Sequence, residues 1–254
     1  MYEVGSLCVR FYKTASLGPH GLQRPTQSLG MMENAAGLPA TMAEALTVRM
    51  NFMRQAVVAV VAVDGQEHRR RKNLGLGGRR LGNFELLRNL ATLPYGQPVP
   101  KPGWCSDGSV RSGSLAACLD LTMTGFVVRT ALVPVEPIEI MISGKSWQRA
   151  LRKAMVLSQY GPCAVLLDSK PKDVSWVSAQ ARYWGVGLEI HGPEQSDVEQ
   201  LVEPEEFRPS RFTGASWHFA ELAYESAVAT WASQSTQPCP QVGGRRDFLL
   251  DPLA

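Results

Sequence analysis

Between Ile140 and Tyr160 the chain carries Lys145, Arg149, Arg152 and Lys153 and no acidic residue. On a helix these four fall one to two turns apart, opposite Trp147, Ala150, Leu151, Ala154 and Ser158, which follow the spacing of a buried face. Cations placed this way can hold phosphates, giving nucleic-acid affinity without sequence information. Charge is segregated elsewhere too. Residues 67–83 hold five Arg and one Lys against one Glu, and residues 194–206 hold six acids and no base. The formal net charge of +3 is too small to imply a polyanion partner alone, whereas the segregation is compatible with one.

Other chemistries find less support. The five cysteines are scattered without a C-x-x-C, and the odd count argues against a disulfide framework and a zinc site. Cys163 lies in an apolar run and reads as a core residue. The four histidines are dispersed as well, and the usage fits a reducing cytoplasm. Leu74-Gly75-Leu76-Gly77-Gly78 lacks the Lys-Ser/Thr of a phosphate loop. No basic region followed by an apolar core marks the N-terminus as a signal peptide. The apolar run 56–63 is too short to span a bilayer, so no membrane partner is expected. It reads as a buried strand or as the end of a helix starting near Met42.

The elements that must position the cations are clearest from residue 138 onward. Glu139–Ile142 reads as a strand broken by Ser143-Gly144, followed by the Trp147 helix. Cys163–Leu167 is a continuous apolar run, as a strand covered on both faces should be. Val174, Val177, Ala181 and Trp184 mark a second helix, stopped by Gly185 before the strand Val186–Ile190. The aromatics Trp176, Tyr183 and Trp184 are expected in the core. This order implies a parallel or mixed sheet with helices. Upstream, Asn83 can cap a helix from Phe84 that Pro94 ends. A second helix is expected over Ser106–Thr124, with Leu115, Leu119 and Met123 aligned and Gly125 as its cap. Ala215–Trp231 reads as a closing helix.

The paired stretches IEIMISGKSWQRALRKA and ARYWGVGLEIHG resemble the second half of the PD-(D/E)xK nuclease-like fold. The resemblance covers about sixty residues and implies two carboxylates holding Mg²⁺ beside the scissile phosphate, with a lysine aiding water activation. Carried over residue by residue, Glu139 matches the strand acid, Met141 falls on the lysine, and Asp120 is the candidate for the preceding acid. Glu139 and Asp120 are thus the implied metal ligands. Lys145 or Lys153 would have to supply a relocated ammonium, since a thioether carries no charge. The stretch 84–135 resembles a bacterial winged helix-turn-helix, with SGSLAACLDLTMTGFVVR as the passage from recognition helix to wing. It adds Arg111 and Arg129 as expected DNA contacts and places Asp120 in the recognition helix rather than in a nuclease sheet.

The expected architecture is therefore α/β, a restriction-endonuclease-like central mixed sheet flanked by helices, preceded by a small winged-helix-like segment. Residues 1–66 form a poorly ordered leader and the apolar segment, and 67–83 a basic linker. Residues 84–135 form the winged-helix-like segment, 136–192 the nuclease-like core, and 193–254 an acidic connector, closing helix and tail. The expected function is DNA binding by a nuclease-like domain without cleavage, in regulation or defence. The alternatives are a Mg²⁺-dependent endonuclease with a relocated lysine, and an antitoxin-like protein-interaction module. A homodimer or a protein partner is compatible with all three.

Overall fold

The computed structural model describes residues 45–105, 110, 113–192, 198–208 and 212–235. The leader over 1–40, Arg111 and the tail beyond 235 lie outside the described residues. Among the described residues no helix is long and apolar enough to cross a membrane.

The chain first builds a hairpin. β1 (Ala45–Phe52) alternates exposed and buried residues, and β2 (Gln55–Val63) is buried along most of its length. The run 56–63 is thus a strand. Helix α1 (Gly65–Asn73) follows where a basic linker was expected. Asp64 caps it, accepting a hydrogen bond from the Glu67 amide at 2.7 Å. The linker reading fails because Glu67 and Arg71, one turn apart, are fully buried against each other and against a distant helix.

Helix α2 (Phe84–Ala91) begins at the Asn83 cap, whose side chain accepts from the Leu86 amide. A small antiparallel sheet follows: β3 (Pro98–Pro100), the short helix α3 (Gly113–Ala116), β4 (Leu119–Leu121) and β5 (Phe126–Arg129), in the order β3-β5-β4. The helix expected to run on to Thr124 gives way to a strand at Leu119. Thr122 Oγ1 accepts from the Phe126 amide, and Gly125, at φ 81°, closes a hairpin turn instead of capping a helix. Met123, expected on a buried helix face, is fully exposed at the tip.

From Val135 the structure follows the sequence pattern. β6 (Val135–Gly144), α4 (Trp147–Leu157), β7 (Cys163–Leu167), α5 (Val174–Tyr183) and β8 (Gly187–His191) alternate, then β9 (Val198–Val202) and the long α6 (Gly214–Ser235). Six strands form one mixed sheet, β1-β2-β6-β7-β8-β9, parallel through β6-β7-β8 and antiparallel outside. The protein is α/β. Gly185, at φ 64°, ends α5, its amide bonded to Arg182 O and the Val186 amide to Ala181 O.

Register assigns every strand residue to a face. Val48, Ala59, Ile140 and Cys163 share one cross-strand row, as do Ile142, Val165 and Leu188. All of these belong to a single apolar core with Ala150 and Leu157 of α4, Val177 and Ala181 of α5, and Phe219 and Ala223 of α6. Both crossovers, β6–α4–β7 and β7–α5–β8, step to the next strand, and their right hand puts the helices on one side. All five residues of β7 are buried as expected. Among the described residues, however, α4, α5 and α6 pack on one face only.

α6 also serves the smaller unit. Trp217 belongs to a second core with Leu87 and Leu90 of α2 and Leu119 of β4. A side chain at Gly214 would collide with the backbone of Arg88, so α6 can start against α2 only as glycine. Between the units lies a buried ionic clamp. Arg71 donates from both terminal nitrogens to the Glu221 carboxylate at 2.7 and 2.8 Å, and from Nε to Glu67 at 2.8 Å. Arg70 adds two bonds to Glu67, and Trp217 Nε1 donates to Glu221 at 3.0 Å. The Arg71 guanidinium stacks 4.6 Å over the Tyr224 ring. With the Leu132 amide donating to Glu67 and the Leu81 amide to Glu221, both at 3.2 Å, every carboxylate lone pair has a donor, the condition under which buried charge is tolerated.

Candidate nucleic-acid interface

α4 presents the cations seen in the sequence. Ala150, Leu151, Ala154 and Leu157 face the core, and Lys145, Arg149, Arg152 and Lys153 are all exposed on or beside the outward side. Among the described residues none of the four makes an ion pair. Arg152 Nε donates only to Gln148 O at 3.3 Å. The charges are free to meet an external anion.

The position of α4 in the sheet strengthens that surface. Its first turn opens at the carboxyl ends of β6 and β7, the edge where ligands of α/β sheets collect. Ser146, the N-cap, makes no side-chain bond to the helix amides; its hydroxyl donates to Gln148 Oε1. Lys145 stands beside these open amides. The loop from β7 to α5 brings Lys170 and Lys172 to the same edge, where Lys170 pairs with Glu199 at 3.6 Å. A separate cavity of about 580 Å³ lies toward the opposite ends of the strands, with Glu205 and Glu206 beside Arg208 in its wall, a mixed charge that does not suit a polyanion.

α5 departs from expectation. Trp176, Tyr183 and Trp184, read as core, are 55, 77 and 45% exposed. The helix buries only Val177 and Ala181, so its core stripe is one residue wide and the aromatics fall outside it. Tyr183 and Trp184 meet edge to face at 5.0 Å. Trp184 lines the cavity walled by Glu205 and Glu206, whereas Trp176, in the first turn of α5, stands toward the carboxyl ends of the strands, where an exposed ring can stack on bases.

The implied nuclease residues do not come together. Glu139 is buried on β6, paired with Val60 on the sheet face opposite the helices. Lys153 points outward from α4, on the other side of the sheet. Asp120 is exposed on β4, in the other sheet. Met141 does share the Glu139 face, as its position two residues on requires. Sequence reasoning missed Arg49. It stands in the cross-strand row Arg49, Val58, Met141, and these three line a cavity of about 480 Å³ with Asn51 and Ser143. Only the alternation of β1 hinted at it. Among the described residues no group of three or more His, Cys, Asp or Glu could hold a metal ion.

Arg129 also has another role. Its Nη1 donates to Leu90 O at 3.2 Å, capping α2, and its guanidinium lies 5.2 Å from the Trp217 ring and 5.9 Å from Tyr95. Burial draws its pKa down from the usual value. Its charge lies half-buried against α6. Burial pushes the Cys118 and Cys163 thiols up to about 12, so both are inert core residues.

Comparisons with protein-family models, with curated proteins and with solved structures gave no match to this chain.

Proposed function

We propose that the protein binds nucleic acid, DNA above all, through the outer face of α4, and that it does so without cutting. The observation that carries this reading is the set of four exposed cations, Lys145, Arg149, Arg152 and Lys153, without ion-pair partners among the described residues. The order β6–α4–β7–α5–β8 supports a nuclease-like core within the proposal. The separation of Asp120, Glu139 and Lys153 onto different sheets and faces supports binding over catalysis, because a divalent cation needs converging oxygen ligands. A regulatory or defence-associated role is consistent with such a scaffold. Mg²⁺ has a place only if cleavage is found.

The test is the salt dependence of binding to unrelated oligonucleotides. Replacing Lys145, Arg149 and Lys153 by Ala is expected to weaken all sequences alike and flatten the logarithmic salt slope by about one unit per lost phosphate contact. An unchanged slope removes α4 as the interface. DNA incubated with the protein and Mg²⁺ or Mn²⁺ is expected to stay intact. Cutting that disappears in Glu139→Ala would reverse that part of the proposal.

A further inference from the structure

β1 is an edge strand with one partner. Among the described residues it pairs with β2 alone, over all eight of its residues. Met53 and Arg54, at φ 51° and 60°, form a two-residue turn with both central residues left-handed, the type I′ geometry. In such a hairpin the closing pair, Phe52 and Gln55, exchanges both backbone hydrogen bonds. Stepping back by two, Met50, Val48 and Leu46 direct their amides and carbonyls at β2. Ala45, Thr47, Arg49 and Asn51 therefore direct theirs out of the sheet. The strand has no proline, glycine or bulge, and Arg49 is its one charge, so it lacks most of the features that blunt an edge.

We propose that this edge pairs antiparallel with β1 of a second copy, joining two six-stranded sheets about a twofold axis normal to them. The strand is its own complement in one register. Antiparallel pairing bonds an outward residue only to an outward residue, which restricts the choices to slides of two. With Thr47 opposite Arg49 of the second copy, and Ala45 opposite Asn51, every outward amide and carbonyl from Ala45 to Asn51 is used. Val48 then meets its own copy, and Leu46 meets Met50, so the apolar faces under the two helical layers run on from one to the other. A slide one way sets Arg49 against Arg49, two like charges directly opposed, and leaves Ala45 without a partner within the strand. A slide the other way leaves Asn51 without one. Charge and bond count select the same register.

The experiment uses the full chain. Sedimentation across a concentration range is expected to show a monomer–dimer equilibrium, and a wild-type chain monomeric at its highest soluble concentration would overturn the proposal. Thr47→Pro removes an outward amide and no bond to β2, so it is expected to give a folded monomer; a folded variant that dimerises as the wild type does would also overturn it. The register is read without disturbing the edge. Thr47→Cys and Arg49→Cys proteins, both altered at exposed positions, are expected to form a disulfide-linked dimer only when mixed, relative to wild type under the same oxidant. Cross-linking of Arg49→Cys with itself, and none in the mixture, would overturn the register.

Discussion

Around the central sheet the interior is aliphatic, built from rows such as Val48, Ala59, Ile140 and Cys163 under α4 and α6. Between α1, α2, the small sheet and α6 the interior is part apolar and part ionic, closed by Arg71 on Glu67 and Glu221. The two regions differ in what specifies them. The aliphatic core arises from apolar residues recurring at the period of each element, a local property. The clamp depends on partners 150 positions apart, each of which alone is an ordinary surface residue type. α6 belongs to both, with Phe219 and Ala223 facing the sheet, Trp217 facing the small core and Glu221 in the clamp. A helix buried on several sides loses the one-sided apolar stripe of a surface helix.

The largest effect is expected from breaking the clamp. Glu221→Ala leaves a fully buried guanidinium with half its partners and the Trp217 and Leu81 donors unmet. A loss of about 3–5 kcal/mol is expected in urea unfolding, as for other buried pairs deprived of one partner. Replacing Arg71, Glu67 and Glu221 together by Met or Leu is expected to recover part of it, since the buried Arg71 charge goes with its partners, while Arg70, Trp217 and Leu81 still lose their acceptors. A loss under about 1 kcal/mol in Glu221→Ala would mean that water enters and the site behaves like an exposed pair.

A smaller effect follows from pH. Burial raises the Glu67 carboxyl, but the hydrogen bonds and charges of Arg70 and Arg71 outweigh it and hold its pKa below the ordinary 4.5. His68 lies below its ordinary 6.5 through burial, then through Lys72, Arg69 and Arg71; His218 does so through burial, then Arg80. In each case the unfolded chain binds the proton more tightly. Stability is therefore complete above the unfolded values and is lost as pH falls through the folded ones. Urea midpoints are expected to fall first below about pH 6.5 through the histidines and again below about 4.5 through Glu67. The lower step should vanish in the triple clamp variant. A flat profile from pH 7 to 4 would contradict the clamp geometry.

These two regions also explain what could be read in advance. Strands and helices from 138 to 191 were legible because Gly144 and Gly185 punctuate clean changes of period. The side on which α4 lands was not, and that side decides whether Lys153 can approach Glu139. The leucine spacing at 115 and 119 fits a helix as well as it fits a strand entry, and only the Thr122 turn resolves it. Arg70 and Arg71 read as a solvated linker because nothing in a run of cations announces a buried carboxylate on another helix. Of the site, the α4 cations were visible from spacing alone. Arg49 and the exposed rings of α5 were not, since they depend on cross-strand register and on how narrow a buried stripe is.

The smallest expected effect tests the aliphatic region through its backbone. Met53 and Arg54 both sit at positive φ in the turn between β1 and β2, where a side chain is disfavoured by about 1–2 kcal/mol per residue. Arg54 is exposed, and among the described residues its side chain has no hydrogen bond or ion pair, so its replacement removes little besides that strain. Glycine adopts the conformation freely but loses about 0.5–1 kcal/mol of chain entropy on folding. Arg54→Gly should therefore shift stability by about 0–1.5 kcal/mol in the stabilising direction, a rise of a few °C in Tm at most for a chain of this size. Met53→Asn with Arg54→Gly restores the residues that type I′ turns prefer and should gain more. A clearly destabilising Arg54→Gly would place the turn in another conformation. It would also unsettle the alternation of inward and outward amides along β1 on which the edge register depends.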